Sequence, residues 1–156
     1  MQYKKIFSAI AVCSSLFAAS LNAAPILSDV IFIVDESGSM GNVQANLRNN
    51  IGLFASILTG TGQVDAQYGL VGYGNSSVVP RMVTDLTNPT TFATAALGLL
   101  TNGGTEPGYT ATAFALNALD GQTSLFSFRS NAVKNIIILT DEPSNGDTTA
   151  RGTVGG

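Results

Sequence analysis

Histidine is missing from this 156-residue chain, and cysteine occurs once, as Cys13. The first absence removes the commonest general base and the usual zinc ligand. The second excludes an intrachain disulfide and, if Cys13 is lost on maturation, any thiolate metal site or thiol nucleophile. Basic residues are scarce as well: seven Lys and Arg stand against ten Asp and Glu, for a net charge of −3. Such an acidic chain is a poor partner for nucleic acid or anionic lipid. Its length allows one domain with a real core, but not two.

The first 24 residues read as a secretory signal peptide rather than as part of that domain. Lys4 and Lys5 make a positive start, residues 6–17 are almost all apolar or small, and residues 18–24 are rich in small residues. The competing reading is a membrane anchor, but the apolar run is short for a span and no charged stop follows. Pro25 disfavours cleavage after Ala24, so Ala23 or an earlier small residue is the expected site. Val12 before Cys13 does not suit a lipoprotein signal. Removal of the segment leaves no cysteine, five basic residues and a charge of −5. The mature chain, residues 25–156, is then expected to be secreted or held at the cell surface, with no stable membrane span.

Within it, strand and helix patterns alternate. Residues 29–34 hold the apolar run Val30-Ile31-Phe32-Ile33-Val34, which predicts a buried strand. Over residues 42–58, Val43, Leu47, Ile51, Phe54 and Leu58 recur at helical spacing, with Gln44, Asn46, Arg48 and Asn49 on the other face. Residues 65–73 predict a second strand and residues 78–83 a third. The short turn between them requires an antiparallel pair, and Pro80 places the third strand at a sheet edge. Asn75-Ser76-Ser77 matches a glycosylation sequon, but the turn already explains it. Asn88 and Pro89 start a helix expected to reach Leu100. A further helix is expected over 109–119, burying Phe114, Leu116 and Leu119. Phe126 and Phe128 should pack in the loop after it. Residues 132–140, with Ile136-Ile137-Ile138-Leu139, predict a second fully buried strand. The class is α/β: a doubly wound, mostly parallel, Rossmann-like sheet with one antiparallel edge strand. Its ligand site should lie outside the carboxyl ends of the strands, where Asp35 and Asp141 both stand.

Asp35, Ser37 and Ser39 follow the first strand at alternate positions, with Gly38 between the serines. In a tight loop, that spacing can aim three hard oxygens at one point, as a cation such as Mg²⁺ requires. The same string also reads as a helix start, with Ser39 or Asn42 as cap and Asp35 capping from further away. Thr105 could be an ordinary loop residue, and Asp141 a turn residue before Pro143.

DESGSM after a buried strand, GGT before a helix and LTDE after a second buried strand resemble the von Willebrand factor type A domain over roughly residues 29–147. The resemblance implies a metal-ion-dependent adhesion site. Asp35, Ser37 and Ser39 would be its first ligands, Thr105 the threonine of the second loop and Asp141 the aspartate of the third. Glu36, Glu106 and Glu142 are left as solvated or outlying carboxylates. Glu142 departs from the glycine often found after the third aspartate, and Pro107 from a hydroxyl residue.

That family's sheet has about six strands, in the order 3-2-1-4-5-6. Four are legible here, so the last would have a bare outer edge. The chain is therefore expected to be a truncated product or a fragment; a partner chain completing the sheet is the alternative. The function implied is adhesion or protein binding through Mg²⁺ or Mn²⁺, an acidic side chain of a partner protein completing the coordination. The start of the helix after Ser39 would add positive character nearby. The alternatives are a phosphatase-like, metal-assisted hydrolase, or a fragment with no function. Against the hydrolase, the three loops contain no lysine or arginine to clamp phosphate.

Overall fold

A computed structural model of the chain describes residues 23–147. The expected signal segment up to residue 22 lies outside the described residues. Four strands are joined through three helices: β1 (Ile26–Asp35), α1 (Gly41–Thr59), β2 (Val64–Tyr73), β3 (Arg81–Thr87), α2 (Pro89–Ala95), α3 (Gly108–Ala115) and β4 (Val133–Leu139). A 3-10 turn, Gly38–Met40, precedes α1, and another, Ala96–Gly98, follows α2.

The sheet order is β3-β2-β1-β4, with β1 parallel to both neighbours and β2 antiparallel to β3. This is the expected mostly parallel α/β sheet with an antiparallel edge strand. Alternation along β1 sends Val30, Phe32 and Val34 to one face and Ile31 and Ile33 to the other. The first set packs against Ile51 and Ala55 of α1 and Phe92 of α2. The second packs against Ala111 and Phe114 of α3 and against Phe126. Apolar layers on both faces make β1 the central buried strand.

Several local expectations are corrected. The third strand begins at Arg81, after Pro80, because Val78 adopts a left-handed backbone (φ 66°) inside the connecting turn. Asn88 does cap α2, its side chain accepting the Thr91 amide at 2.9 Å, but the helix gives way to the 3-10 turn after Ala95. The next helix stops at Ala115, and Asn117 turns the chain with φ 58°. Phe114 and Leu119 are buried, whereas Leu116 is exposed. Gln44, placed on the polar face of α1, is buried. The strand expected to be fully buried, β4, is exposed over much of its length, with Ile138 at 44%. No strand pairs with its outer side among the described residues.

At the end of the sheet away from the motif loops, the buried Asp29 carboxylate accepts Arg129 Nε at 2.7 Å and the Arg129 amide at 2.7 Å. Arg129 also reaches Asp65 at 3.1 Å. This ties the loop after α3 beneath the strands. Among the described residues, no helix is long and apolar enough to cross a membrane.

Candidate metal centre

Sheet register decides which loops meet. Val34 of β1 pairs with Leu139 of β4, and Asp35 pairs with Tyr73 of β2. The chain after β4 therefore emerges beside Asp35. Thr140 donates its hydroxyl to Asp35 Oδ2 at 3.2 Å, and Asp141 follows it at the rim.

Asp35 is fully buried, and its Oδ1 accepts the Ser37 amide at 2.6 Å. This folds the loop back so that Ser37 Oγ and Ser39 Oγ lie 3.2 Å apart. Ser37 precedes the 3-10 turn and Met40 precedes α1, yet neither makes a side-chain cap. The serine hydroxyls face each other, and neither Ser39, inside the 3-10 turn, nor Asn42, inside α1, stands at a cap position.

The second motif loop reaches the same rim. Gly103 pairs with Ser37, and its carbonyl accepts the Gly38 amide at 3.2 Å. A Cβ on Gly103 would stand 1.6 Å from the Gly74 carbonyl oxygen, so only glycine allows this approach. Thr105, two residues on, is half-buried. Its neighbour Glu106 is 2% exposed. Carboxylate oxygens of Asp35, Glu106 and Asp141 all lie within 4.8 Å of one another.

The electrostatics of this cluster are unfavourable as it stands. The Glu106 carboxyl is pushed up to about 7, first by burial and next by the charge of Asp35, with Glu142, a hydrogen bond to Asp35 and Asp141 adding. Glu106 Oε2 is buried without a hydrogen-bond partner. A buried, unsatisfied carboxylate oxygen among like charges is costly. A divalent cation would relieve both defects, and the donors present, carboxylates and hydroxyls, are the kind such an ion takes. The site therefore fits a hard cation.

Two carboxylates expected to be solvated or outlying are buried instead, with no local pattern around either to signal it. Glu106 is one. The other, Glu36, accepts Asn75 Nδ2 at 2.7 Å, the Leu100 amide at 2.8 Å and Arg81 through Nε and Nη2. Its backbone carbonyl takes the amides of Asn102 and Gly103. Glu36 thus joins the first motif loop to the β2–β3 turn and to the second motif loop. Gln44 adds to this, donating Nε2 to the Asp35 carbonyl at 3.1 Å and to the Leu100 carbonyl at 2.7 Å. The third loop clasps the start of α3: Asp147 accepts the Thr110 amide at 2.8 Å and the Ser144 hydroxyl at 2.7 Å.

The family model for the von Willebrand factor type A domain matches residues 29–153. The chain belongs to this family. Solved structures similar to it include domains of the same fold. The vWF domain of the type V pili tip protein Mfa5 from Porphyromonas gingivalis aligns with TM-score 0.54 and 21% identity, over 78% of this chain and 40% of that one. The SpRpn10 VWA domain gives 0.56 and 17%, over 80% and 65%. The pilus adhesin SpaC from Lactobacillus rhamnosus GG gives 0.51 and 24%, over 76% and 15%. At these identities the likeness is one of fold, and the chain spans about two fifths of the Mfa5 domain structure. No curated protein matches the chain significantly.

Proposed function

We propose that this VWA domain is a divalent-cation-dependent protein-binding module of an exported protein. The observation that carries the reading is the meeting of Asp35 and Asp141, from the ends of two different strands, beside a pair of serine hydroxyls spent on no helix cap. Asp35, Ser37 and Ser39 would hold the ion, with Thr105 and Asp141 bound directly or through water. Mg²⁺ or Mn²⁺ is what the family motif implies. A bound ion supplies an electrophilic position that a carboxylate from a partner protein can fill. Ser39 and Asp141 are exposed, which leaves the rim open to that partner.

Export rests on the signal-like composition of residues 1–24. It agrees with the setting that the names of two relatives describe, a pili tip protein and a pilus adhesin. A hydrolase would need a free cationic group to clamp phosphate. Arg81, which reaches these loops, instead gives its guanidinium to Glu36 and to the Gly98 carbonyl at 2.7 Å. We therefore read the domain as a binding module and not an enzyme. Titration of MgCl₂ and MnCl₂ into the purified chain by calorimetry tests the site: binding should be measurable and should vanish in Asp35→Ala. Equal heats from both proteins would reject it.

A further inference from the structure

Glu106 has no place among the five ligands that the family motif supplies, yet the fold treats it as part of the site. Both its backbone polar groups are fixed by one residue of the third motif loop. Its amide donates to Asn145 Oδ1 at 3.0 Å, and its carbonyl accepts the Asn145 amide at 2.9 Å. The same carbonyl accepts the Gly108 amide at 2.9 Å. The side chain, held from behind, is 2% exposed and shares the carboxylate cluster with Asp35 and Asp141. Its Oε2 has no hydrogen-bond partner. Among the described residues no basic side chain pairs with any of the three; Arg81 is committed to Glu36, and Arg129 to Asp29 and Asp65.

We propose that Glu106 is itself a ligand of the bound cation, and that this third carboxylate extends the site from Mg²⁺ and Mn²⁺ to Ca²⁺. The inference rests on the metal-site reading above. Ca²⁺ takes six to eight oxygens at about 2.3–2.6 Å in irregular arrangements, whereas Mg²⁺ holds to an octahedron, keeps several waters and takes only one or two carboxylates. Two oxygens on one Ca²⁺ can stand up to about 5 Å apart, so three oxygens within 4.8 Å of one another are near enough to close on a single such ion with a small shift of their side chains. Glu106 also approaches from the buried side, leaving the exposed rim at Ser39 and Asp141 free for a partner.

The test is calorimetric titration of the full chain, its Glu106→Gln and Asp35→Ala variants with CaCl₂ and with MgCl₂, together with the thermal midpoint of each protein with and without CaCl₂. The wild-type chain should bind Ca²⁺. Glu106→Gln should lose at least tenfold in Ca²⁺ affinity while its Mg²⁺ affinity stays within about threefold. Without metal the same variant should melt higher than wild type, since one buried like charge is gone, and should gain less on adding Ca²⁺. If Asp35→Ala loses both ions while Glu106→Gln binds Ca²⁺ as tightly as wild type, the metal site stands and this inference falls. If the wild-type chain binds neither ion, both fall. Should Glu106→Gln lose its fold by circular dichroism, Glu106→Asp decides: weakened Ca²⁺ binding with Mg²⁺ retained supports the assignment, and unchanged Ca²⁺ binding overturns it.

Discussion

The Glu36 carboxylate rests on the α-carbon of Gly72, so closely that a Cβ built on Gly72 would stand 2.5 Å from Glu36 Cδ. The carboxylate is not a flexible end that can swing aside, because Arg81, Asn75 and the Leu100 amide all hold it. Gly72→Ala should therefore destabilise the domain by about 1–3 kcal/mol, the usual cost of overpacking. Cation affinity should fall with it, since Glu36 sets the path of the loop carrying Ser37 and Ser39. Gly38→Ala is the control: nothing lies within 4 Å of its Cβ and its φ is not positive, so its stability should stay within about 0.5 kcal/mol of wild type. Urea denaturation of both variants gives the comparison, and equal losses would contradict it.

The Arg81–Glu36 pair is unequal, with the arginine side chain 36% exposed and the glutamate fully buried. Arg81→Met strands a buried carboxylate and should cost about 3–5 kcal/mol. Glu36→Gln keeps an acceptor for the Leu100 amide and leaves an arginine that water can reach, so about 1–2 kcal/mol is expected. The order of the two losses in urea denaturation is the check. Equal, small losses would mean that the pair behaves as an ordinary surface bridge.

Glu36 and Glu106 mark the limit of what local pattern determines. The β1 run, the DESGS loop, the GGT and LTDE motifs and the Asn88 cap are legible because local pattern determines them: apolar continuity, oxygen spacing, capping chemistry. Glu36 and Glu106 look like surface acids because their burial depends on Arg81, Leu100 and Asn145, which only the fold brings near. Gln44 deceives in the same way. Its helical position is polar, but the backbone carbonyls of Asp35 and Leu100 stand above that face and require a donor. The Val78-Val79 pair suggests a strand by propensity, yet Asn75 Oδ1 accepts the Ser77 amide at 2.8 Å and makes a turn of the segment. The β4 run has the composition of an interior strand, and composition cannot reveal whether a neighbour pairs with it.

Tyr68 lies fully buried between the rings of Phe54 and Phe92, at centroid distances of 6.2 and 6.4 Å, and its hydroxyl has no hydrogen-bond partner. A buried hydroxyl without a partner costs about 1–3 kcal/mol. Tyr68→Phe removes that atom and keeps the ring, so it should stabilise the domain by about 1 kcal/mol, raising the thermal midpoint by roughly 2–4 °C. A lower midpoint would show that the hydroxyl is bonded in solution.

Asp85 of β3 gives a pH dependence far from the motif loops. Burial alone would raise its carboxyl, but hydrogen bonds from Ser127 and from the Leu86 amide outweigh this and hold it below its ordinary value. The Leu86 and Ser127 amides reach Oδ1 at 2.7 and 2.9 Å. A lowered folded-state value means that the charge favours the native state above the ordinary carboxylate value, and that this is lost as pH falls through the folded value. Asp85→Asn keeps an acceptor oxygen but not the charge, so the variant should be less stable by about 1 kcal/mol near neutral pH, the difference between charged and neutral acceptors. The gap should hold from pH 8 down to about pH 5 and then close as both proteins are taken toward pH 3. Urea midpoints of the two proteins across that range supply the measurement, and a gap that widens on acidification would reverse the sign assigned to Asp85.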